Sequence, residues 1–511
     1  MSTHLIDSIL VVGGGAAGWL TAGILAARYG QDVQITLIES ADVPIIGVGE
    51  GSWPSLRNTL RDMGISETDF FTECDASFKQ GVKFIGWQKD NADFFYHPFS
   101  LPIGFLERNV AEWWIANPSS LSFADAVCAQ EFLCERNLAP RTPDAPGYKS
   151  QVNYGYHLDA GKFVTFLSRH CKTILGVKHV IGTVCKINQN EQGIESIETL
   201  EQQTLTADLF IDCSGLKSLL LGEALGAKFI DKSAEIFIDS AVAAQVPYES
   251  DEAPILPYTL AEAKKAGWIW EIGLYSRKGI GHVYSSRHMS EDEATAVLAD
   301  YIGPGFANLS PRKIKIPCGY RDVFWQKNCV AIGMAAGFIE PLEASALVMV
   351  ELAANYIRDQ LPRHKAAMPT VAKRFNALQT YRWRSIVDFL KLHYVLSERS
   401  GDFWRDNKDS ATISDSLQES LQLWQYHVPY KKDFLYKEEV FPAASYQYIL
   451  CGMGYRPQLP WSFKEQEKAV FAHLLNENQK IKRALAGVIP DTRAMLTAIR
   501  SGAALGRQKF L

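Results

Sequence analysis

A glycine-rich turn after an apolar segment near the start of the sequence constrains the fold most strongly. The largely apolar segment Ser8–Val12 runs into Gly-Gly-Gly-Ala-Ala-Gly, which sets Gly13, Gly15 and Gly18 in the spacing GxGxxG. The first glycine permits a sharp turn, the second lets backbone N–H groups approach a pyrophosphate, and the third lets a helix pack close to the strand. The pattern predicts a strand, a tight turn and a helix whose N-terminus binds a dinucleotide.

An acidic residue after the next strand indicates which dinucleotides fit. Val33–Ile38 reads as a second strand, and Glu39 follows it. A carboxylate about 20 residues beyond the glycines can accept hydrogen bonds from a ribose diol and disfavours a 2′-phosphate, so NADP is not expected. The motif alone leaves FAD and NAD open, and a glycine-rich turn in another kind of α/β protein is the plainer alternative.

The same region has to be separated from a membrane span. Ile9–Ala27 carries no charged side chain and is long enough to cross a bilayer. Its glycines divide it into a β-rich half and an Ala/Leu-rich half, so we expect strand, turn and helix instead. Residues 1–8 contain no basic segment, and no signal peptide is expected. We therefore expect no membrane partner.

Composition excludes several classes of protein. The 511 residues are enough for two or more domains. The net charge is −5 and the sequence has no long basic run, so a nucleic-acid partner is not expected. The nine cysteines contain no CxxC pair, which favours a reduced, cytoplasmic setting over a disulfide scaffold. No metal site is predicted.

Two later segments have the form of buried strands that end in small residues. They are Thr206–Gly215 and Asn328–Gly337. Each alone could be ordinary packing, but strands far apart in sequence that share one parallel sheet collect ligand groups at their carboxyl ends. With the first glycine motif they favour an α/β fold with an extended nucleotide site and FAD as the cofactor. Asp212 and Gly333 are candidate cofactor residues.

At this point motifs along most of the chain resemble the flavin-dependent halogenases of the tryptophan-halogenase type. Their order and spacing match as well as their residues. The matching segments are GGGAAGWLTA (13–22), GVGEG followed by Ser-Trp-Pro (47–54), SFKQGVKF (77–84), YHPF (96–99), YHLDAGKFVTFL (156–167), ADLFIDCSGL (207–216), WIWEIGL (268–274), NCVAIGMAAGFIEPLEAS (328–345), and DFLKLHY with a later FW (388–394, 403–404).

The resemblance implies a two-component chemistry. A separate NAD(P)H-dependent flavin reductase supplies FAD as FADH2, which reacts with O2 to give a C4a-hydroperoxide. Chloride or bromide attacks it and yields hypohalous acid, which passes through an internal tunnel to a lysine beside a small aromatic substrate. Electrophilic substitution follows. Monomer and homodimer both stay open.

Motifs and resemblance together predict four groups of site residues. The catalytic pair is Lys79 and Glu343. The backbone N–H groups of Ser345 and Ala346 bind halide. The substrate pocket contains His97, Phe99, Trp268 and Trp270. The cofactor residues are Gly13, Gly15, Ala16, Ala17, Gly18, Glu39, Gly49, Glu50, Asp212, Gly333 and Leu342.

The two catalytic candidates have plain alternatives. An ammonium can hydrogen-bond and polarise hypohalous acid, or its amine can carry the halogen. Locally, Lys79 also reads as a surface lysine, and Lys83 is expected to be dispensable. The Glu343 carboxylate can orient the oxidant or take the ring proton, which is compatible with an acid at a helix start; Glu340 is read as that helix-start acid.

The aromatic candidates compete with ordinary core packing. Two indoles two residues apart on a strand share one face and can wall off a cavity. The resemblance implies that this wall keeps the substrate from the flavin. Flat faces at His97 and Phe99 can hold an indole. The sequence departs from the family where Gly273 replaces a proline, where Ala344 and Ala346 replace Ser and Gly, and where Ser-Trp-Pro follows Gly51; the second change leaves chloride and bromide open.

The predicted fold class is α/β, with a Rossmann-like FAD module of the aromatic hydroxylase and halogenase type, a substrate-binding half and a helical C-terminal cap. Helices are predicted over 350–400 because apolar residues there recur at i, i+3, i+4 and i+7. The FAD module is assigned to 1–79, 151–225 and 319–350, the substrate side to 80–150 and 226–318, and the cap to 351–511.

Two other functions stay open on sequence alone. One is a single-component FAD-dependent aromatic hydroxylase. The other is a non-catalytic member of the fold that binds a protein or lipid, which should have lost Lys79 and Glu343 together. Within the halogenase hypothesis the substrate can be indole, tryptophan, a phenol or a carrier-bound arene.

Overall fold

The structure is a computed structural model that describes residues 5–42, 49–117, 120–436, 438–459 and 462–502. It confirms the α/β class and divides into two compact units. Unit 1 is formed by Met1–Asp75, Leu158–Lys232 and Pro317–Arg384, and unit 2 by Ala76–His157, Ser233–Ile316 and Ser385–Leu511. The functional division predicted from the sequence, into FAD module, substrate side and cap, stays a prediction.

The strands differ in length from two to eight residues. In chain order they are β1 (Ser8–Val12), β2 (Gln34–Glu39), β3 (Glu50–Gly51), β4 (Ser77–Lys79), β5 (Gly81–Ile85), β6 (Phe94–Pro98), β7 (Gly155–Leu158), β8 (Lys178–Ile181), β9 (Val184–Asn190), β10 (Gly193–Thr199), β11 (Thr204–Leu205), β12 (Leu209–Asp212), β13 (Phe229–Asp231), β14 (Ser240–Pro247), β15 (Thr259–Lys264), β16 (Gly267–Gly273), β17 (Arg277–Tyr284), β18 (Arg312–Lys315), β19 (Gly319–Arg321), β20 (Trp325–Gln326), β21 (Cys329–Ala331) and β22 (Gly337–Phe338).

The α-helices follow the same chain order. They are α1 (Ala16–Tyr29), α2 (Ser55–Asp62), α3 (Glu67–Glu73), α4 (Val110–Ala116), α5 (Phe123–Val127), α6 (Gln130–Cys134), α7 (Ala160–Thr173), α8 (Glu291–Ile302), α9 (Ser345–Gln360), α10 (Met368–Val395), α11 (Asp402–Asp406), α12 (Asp415–Trp424), α13 (Ala443–Gly452), α14 (Glu465–Ala486) and α15 (Thr492–Ser501). After β22 the described residues form helices and no further strand, as predicted for the C-terminal part.

Unit 1 is built on a six-stranded sheet in the order β20-β21-β12-β1-β2-β8. All neighbours are parallel except the β20–β21 pair. The three apolar segments predicted as buried strands are β1, β12 and β21, which lie side by side. Their carboxyl ends therefore meet at one edge of the sheet, as the sequence predicted.

The glycine turn, residues 13–18, joins β1 to α1 through backbone approaches that exclude a side chain. Gly13 has φ +122°, and a Cβ there would lie 2.2 Å from the carbonyl oxygen of Cys213. A Cβ on Gly18 would lie 1.8 Å from the Gly13 oxygen. These contacts confirm the strand, turn and helix predicted here. Within the described chain, no helix is long and apolar enough to cross a membrane.

Unit 2 contains a seven-stranded sheet in the order β18-β14-β17-β16-β15-β5-β6. Its neighbours are antiparallel apart from β15 and β5. A second, shorter ladder pairs β4 with β7. Aromatic rings fill the interior; for example, Trp87 packs edge to face on Trp404 and lies 6.2 Å from Trp268, measured between ring centroids. All nine cysteines are described and none forms a disulfide.

Asp212, at the end of β12, organises the loop that follows it. Its fully buried carboxylate accepts hydrogen bonds from the backbone N–H groups of Ser214, Leu220 and Leu221 at 2.8–3.1 Å and from the hydroxyls of Ser214 and Ser218. An anion that satisfies five donors is a strong local constraint. Asp212 thus shapes the carboxyl edge of the sheet, and its predicted contact with a cofactor stays a prediction.

We expect Asp212→Asn to lower the free energy of unfolding by about 2–4 kcal/mol, because an amide NH2 group would face buried donors. Urea unfolding followed by circular dichroism measures the loss. Asp42→Asn, at an exposed residue, is the control and should change the value by less than about 0.5 kcal/mol. Equal losses of unfolding free energy in the two variants would contradict the role of Asp212 as the acceptor that organises this loop.

Candidate active site

The start of α1 presents backbone donors at the carboxyl edge of the unit 1 sheet. Gly15 is the N-cap residue, and no described side chain caps this helix. A Cβ on Gly15 would meet nothing within 4 Å, so the space beside the first turn, which includes Ala16 and Ala17, is open. Uncapped N–H groups and the positive end of a helix dipole suit a phosphate anion.

Glu39 lies against the glycine turn. A Cβ on Gly14 would be 1.5 Å from Glu39 Oε2, which places this carboxylate beside the backbone of the turn. The other carboxylate oxygen, Oε1, is 2.8 Å from Nε2 of His179. The arrangement fits a carboxylate that accepts from a ribose diol next to a pyrophosphate at the helix start.

Other predicted cofactor residues meet at the same edge. The Ile332 N–H donates to the Asp212 carbonyl at 2.9 Å, and the next residue, Gly333, has φ +69°. A Cβ on Gly333 would be 2.6 Å from the Ala17 side chain, so this turn packs on the first turn of α1. Together with the open space at Gly15, these residues fit a flavin dinucleotide.

The remaining cofactor candidates lie outside this cluster in sequence. Leu342 is fully buried in a 3-10 turn of unit 1. Gly49 has φ +135°, and Glu50 begins β3. The residues before them in the predicted flavin-covering motif, Gly47 and Val48, lie outside the described residues.

The loop formed by residues 342–346 has an unusual backbone. Glu343 (φ 65°, ψ 4°) and Ala344 (φ 53°, ψ 48°) are both left-handed, which costs roughly 1–3 kcal/mol for each non-glycine residue. Ser345 returns to the right-handed helical region and starts α9. A left-handed residue followed by a right-handed one turns successive N–H groups toward one concavity, an arrangement that suits anions.

This backbone corrects one expectation. Glu340 was predicted to be an acid at a helix start, but α9 begins five residues later and the Glu340 side chain is fully buried. The helix cannot extend back to Glu340 because the two left-handed residues interrupt it. Glu343 is also buried, and it lies in the 3-10 turn before the helix.

A set of hydrogen bonds connects α2, and Trp53 two residues before it, to this region. Trp53 Nε1 donates to the Glu343 carbonyl at 2.8 Å. The hydroxyls of Ser55 and Thr59 donate to separate oxygens of Glu351, at 2.9 and 2.5 Å. Burial raises the pKa of Glu351 to about 7, although these two hydrogen bonds oppose the rise.

In unit 2, Lys79 is the last residue of β4 and is 1% exposed. The β4–β7 ladder pairs it with Gly155, and its Nζ lies 5.4 Å from the centroid of the Phe99 ring. Burial and the nearby Lys79 charge hold the pKa of His157 well below its ordinary value. Lys79 is therefore a buried amine beside an aromatic face and a neutral imidazole, not a surface lysine.

Lys83 has a different environment four residues later. Its Nζ is 2.5 Å from a carboxylate oxygen of Glu135 and 4.0 Å from the Phe94 ring centroid. The ion pair and the cation–π contact account for this side chain structurally. The contrast between the two lysines is visible only in the folded chain.

His97 and Phe99 occupy the strand edge next to Lys79. The Phe99 N–H donates to the Gln80 carbonyl at 3.0 Å, which fixes Phe99 beside the end of β4. His97 is 5% exposed, and its Nε2 is 2.9 Å from the Ser445 hydroxyl on α13. The structure thus brings Lys79 and Phe99 together and ties His97 to the C-terminal helices.

The two indoles of β16 lie close together, as their spacing predicted. The Trp268 and Trp270 ring centroids are 6.4 Å apart in an edge-to-face arrangement. Gly281 is the cross-strand partner of Trp270, and a Cβ there would lie 2.1 Å from the indole ring. Gly273 ends the strand and its carbonyl accepts from the Ser77 hydroxyl.

Sequence reasoning missed Trp53, Glu351 and Gly281 as parts of these arrangements. Ser55 and Thr59 are spaced to share a helix face, which is a signal for a common acceptor but does not identify it. Gly281 lies in an apolar strand without a local cue for the ring that crosses it. Each depends on a partner distant in sequence.

Comparisons with known proteins identify the family. A family model described as tryptophan halogenase matches residues 8–467. Tryptophan 6-halogenase SttH of Streptomyces toxytricini is 32% identical over 480 residues, covering 89% of this chain and 90% of SttH. Tryptophan 7-halogenase RebH of Lentzea aerocolonigenes is 31% identical over 532 residues, 97% of each chain. The solved structure of a tryptophan halogenase from Shewanella frigidimarina NCIMB 400 has a TM-score of 0.96 and 45% identity, covering 98% of this chain and 99% of that one.

The chain therefore belongs to the tryptophan halogenase family. It is a flavin-dependent halogenase, an oxidoreductase of the two-component type that needs a separate flavin reductase. The hydroxylase alternative is not favoured, because these relatives are halogenases.

The raised pKa of Glu351 predicts a pH-dependent stability. At pH values below 4.5, the ordinary pKa of a glutamate, the Glu351 carboxyl is protonated in both the folded and the unfolded protein. Its contribution to stability is therefore complete in that pH range. As pH rises to about 7 the unfolded chain ionises first and the contribution falls, by about 3 kcal/mol at roughly 1.4 kcal/mol per pKa unit. Glu351→Gln cannot ionise and should lack this fall.

The measurement is the difference in free energy of unfolding between wild type and Glu351→Gln from pH 4.5 to pH 8, in which all other groups cancel. Glu191→Gln, an exposed site in the turn between β9 and β10, should give a difference that does not change with pH. A constant difference for Glu351→Gln as well would mean that the buried carboxyl titrates normally.

Proposed function

We propose that this protein halogenates an electron-rich arene, with indole or tryptophan as substrate and chloride or bromide as halide. The observation that carries the proposal is Lys79, a buried amine beside an aromatic face, in a chain whose relatives are tryptophan halogenases. Bound reduced FAD, with O2 and halide, would supply hypohalous acid. The residues of this chain then determine how that oxidant is held and used.

Lys79 activates the oxidant. Its ammonium donates to the oxygen of hypohalous acid, and this oxygen leaves as water while the halogen forms a bond to a ring carbon. The oxygen takes one proton from Lys79, and a carboxylate takes the proton that the ring loses, so the substitution is balanced. Only the family resemblance assigns this second role to Glu343. Burial of Lys79 supports the first role, because few waters compete for the amine there.

The 342–346 loop binds the halide. The left-handed to right-handed change at Ala344 and Ser345 supports a concave pair of N–H donors from Ser345 and Ala346 at the start of a 16-residue helix. Alanine at 344 and 346 retains both backbone donors. Since backbone N–H groups recognise charge more than size, we propose that chloride and bromide are both accepted.

The aromatic residues hold the substrate. Phe99 offers a flat face near the amine, and His97 fixes the neighbouring edge through Ser445. Trp268 and Trp270, paired on β16, are proposed to form a wall of the same pocket, as the family resemblance implies. Stacking on such faces selects a planar ring and leaves its edge open to attack.

We expect Lys79→Ala to reduce halogenated product at least about 1000-fold while FAD binding and H2O2 release persist, because the oxidant is then not activated beside the ring. The assay supplies a flavin reductase, FAD, NADH and O2 with chloride or bromide. Indole, tryptophan and phenols are offered, and mass spectrometry detects the halogen isotope pattern.

Lys83→Ala is the matched control for the same assay. It removes an ammonium from a neighbouring strand that is already held by Glu135, and it should retain product within about threefold if it folds normally. Full product formation by Lys79→Ala, or equal losses in both variants, would overturn the assignment of Lys79.

Glu343→Gln should slow halogenation about 100-fold, the usual range for loss of a general base, and should leave the dissociation constant of FAD unchanged. The amide keeps the shape of the side chain but cannot take the ring proton. Single-turnover rates with pre-reduced FAD separate this step from flavin reduction. Near-normal turnover would restrict Glu343 to a structural role in the 342–346 loop.

A further inference from the structure

Trp53 occupies a position that the sequence does not explain. It lies three residues after Glu50, and its indole Nε1 donates to the Glu343 carbonyl at 2.8 Å. The contact joins two segments of unit 1 that are almost 300 residues apart in sequence. The acceptor is the backbone of the 342–346 loop and not one of its side chains.

The peptide between Glu343 and Ala344 is held at both ends. Trp53 binds its carbonyl oxygen, and its N–H donates to the Pro341 carbonyl at 2.9 Å. Rotation of this peptide plane by half a turn would change φ of Ala344, now 53°, and ψ of Glu343, now 4°, by about 180° each. Glu343, at φ 65°, would then enter a region that only glycine adopts readily. Rotation is therefore disfavoured at Glu343 and would also break these two hydrogen bonds, which together fix the peptide in its observed orientation.

The orientation of this peptide decides where the next N–H groups point. With Ala344 left-handed and Ser345 right-handed, the donors of Ser345 and Ala346 turn toward one concavity. A rotated peptide would take Ala344 out of the left-handed region and displace the first turn of α9, which carries both donors. The indole N–H thus selects the backbone state that suits an anion.

Helix α2 fixes Trp53 itself. The Leu56 N–H donates to the Trp53 carbonyl at 3.2 Å, so Trp53 is joined to the first turn of α2. The hydroxyls of Ser55 and Thr59 anchor that helix on the buried Glu351 of α9. Helix α2 therefore holds Trp53 in place and is itself bound to α9. Trp53 in turn binds the loop that leads into the N-terminus of α9.

We propose that Trp53 is a positioning residue for halide binding: its indole N–H holds the 343–344 peptide in the orientation that presents the Ser345 and Ala346 donors. This inference rests on the proposed function. Trp53 acts through the backbone and does not touch the halide.

The test is the chloride dissociation constant of the protein, measured from the broadening of the chloride NMR line, which does not require turnover. Trp53→Phe keeps an aromatic ring and removes the N–H. It should weaken chloride binding about tenfold, the ratio that one net hydrogen bond supplies. The apparent KM for chloride in the halogenation assay should rise by a similar factor.

Two further variants separate positioning from general damage. Ala344→Gly in the Trp53→Phe background should recover most of the lost affinity, because glycine adopts left-handed conformations without strain. Trp325→Phe is the matched control: Trp325 Nε1 also donates to the carbonyl of a left-handed residue, Lys327, at 3.1 Å. It should leave chloride binding unchanged even if it lowers the melting temperature.

The outcomes distinguish this inference from the proposed function. If wild type neither binds chloride nor forms halogenated product, the proposed function fails. If wild type does both and Trp53→Phe binds chloride within twofold of wild type, or Trp325→Phe weakens binding equally, only the role of Trp53 is overturned. Should Trp53→Phe not fold, Trp53→Leu, which also lacks the N–H donor, provides the same comparison with wild type.

Discussion

Unit 1 depends on backbone approaches that only glycine permits. The Gly13 turn contacts the backbone after β12, and Gly18 lets α1 pack against the same turn. A side chain at either position would separate α1 from the sheet and move the helix N-terminus away from Glu39 and Gly333. The predicted cofactor residues can therefore meet at one sheet edge because a few positions have no Cβ.

The sequence predicted those parts of the fold that depend on patterns among residues close together in the chain. The glycine spacing gave β1, the turn and α1, and apolar runs gave β2, β12 and β21. The start of α9 was missed because Glu343 and Ala344 carry no local sign of a left-handed backbone. Trp53, almost 300 residues away in sequence, binds the Glu343 carbonyl there, and such long-range partners have no periodicity to detect.

The two lysines of unit 2 show the same limit within four residues. Lys79 and Lys83 follow similar local sequences, and only the resemblance separated them. In the structure Lys79 is buried next to Phe99, whereas Lys83 is neutralised by Glu135. The difference arises from the partner strand and from α6, so it belongs to tertiary structure. Periodicity indicates which face a residue occupies but not what faces it.

The region from Glu343 to Glu351 contains several features that lower the stability of the folded protein and that the fold itself does not require. Two non-glycine residues are left-handed, and a buried carboxyl has its pKa raised to about 7. Alanine and glutamate could adopt relaxed angles there, and an apolar side chain at 351 would avoid burying an acid. Strain and buried polar groups persist when the surrounding structure holds them, and they cluster at functional sites. The strained backbone of this loop thus supports the proposed halide site by an argument that does not use sequence resemblance.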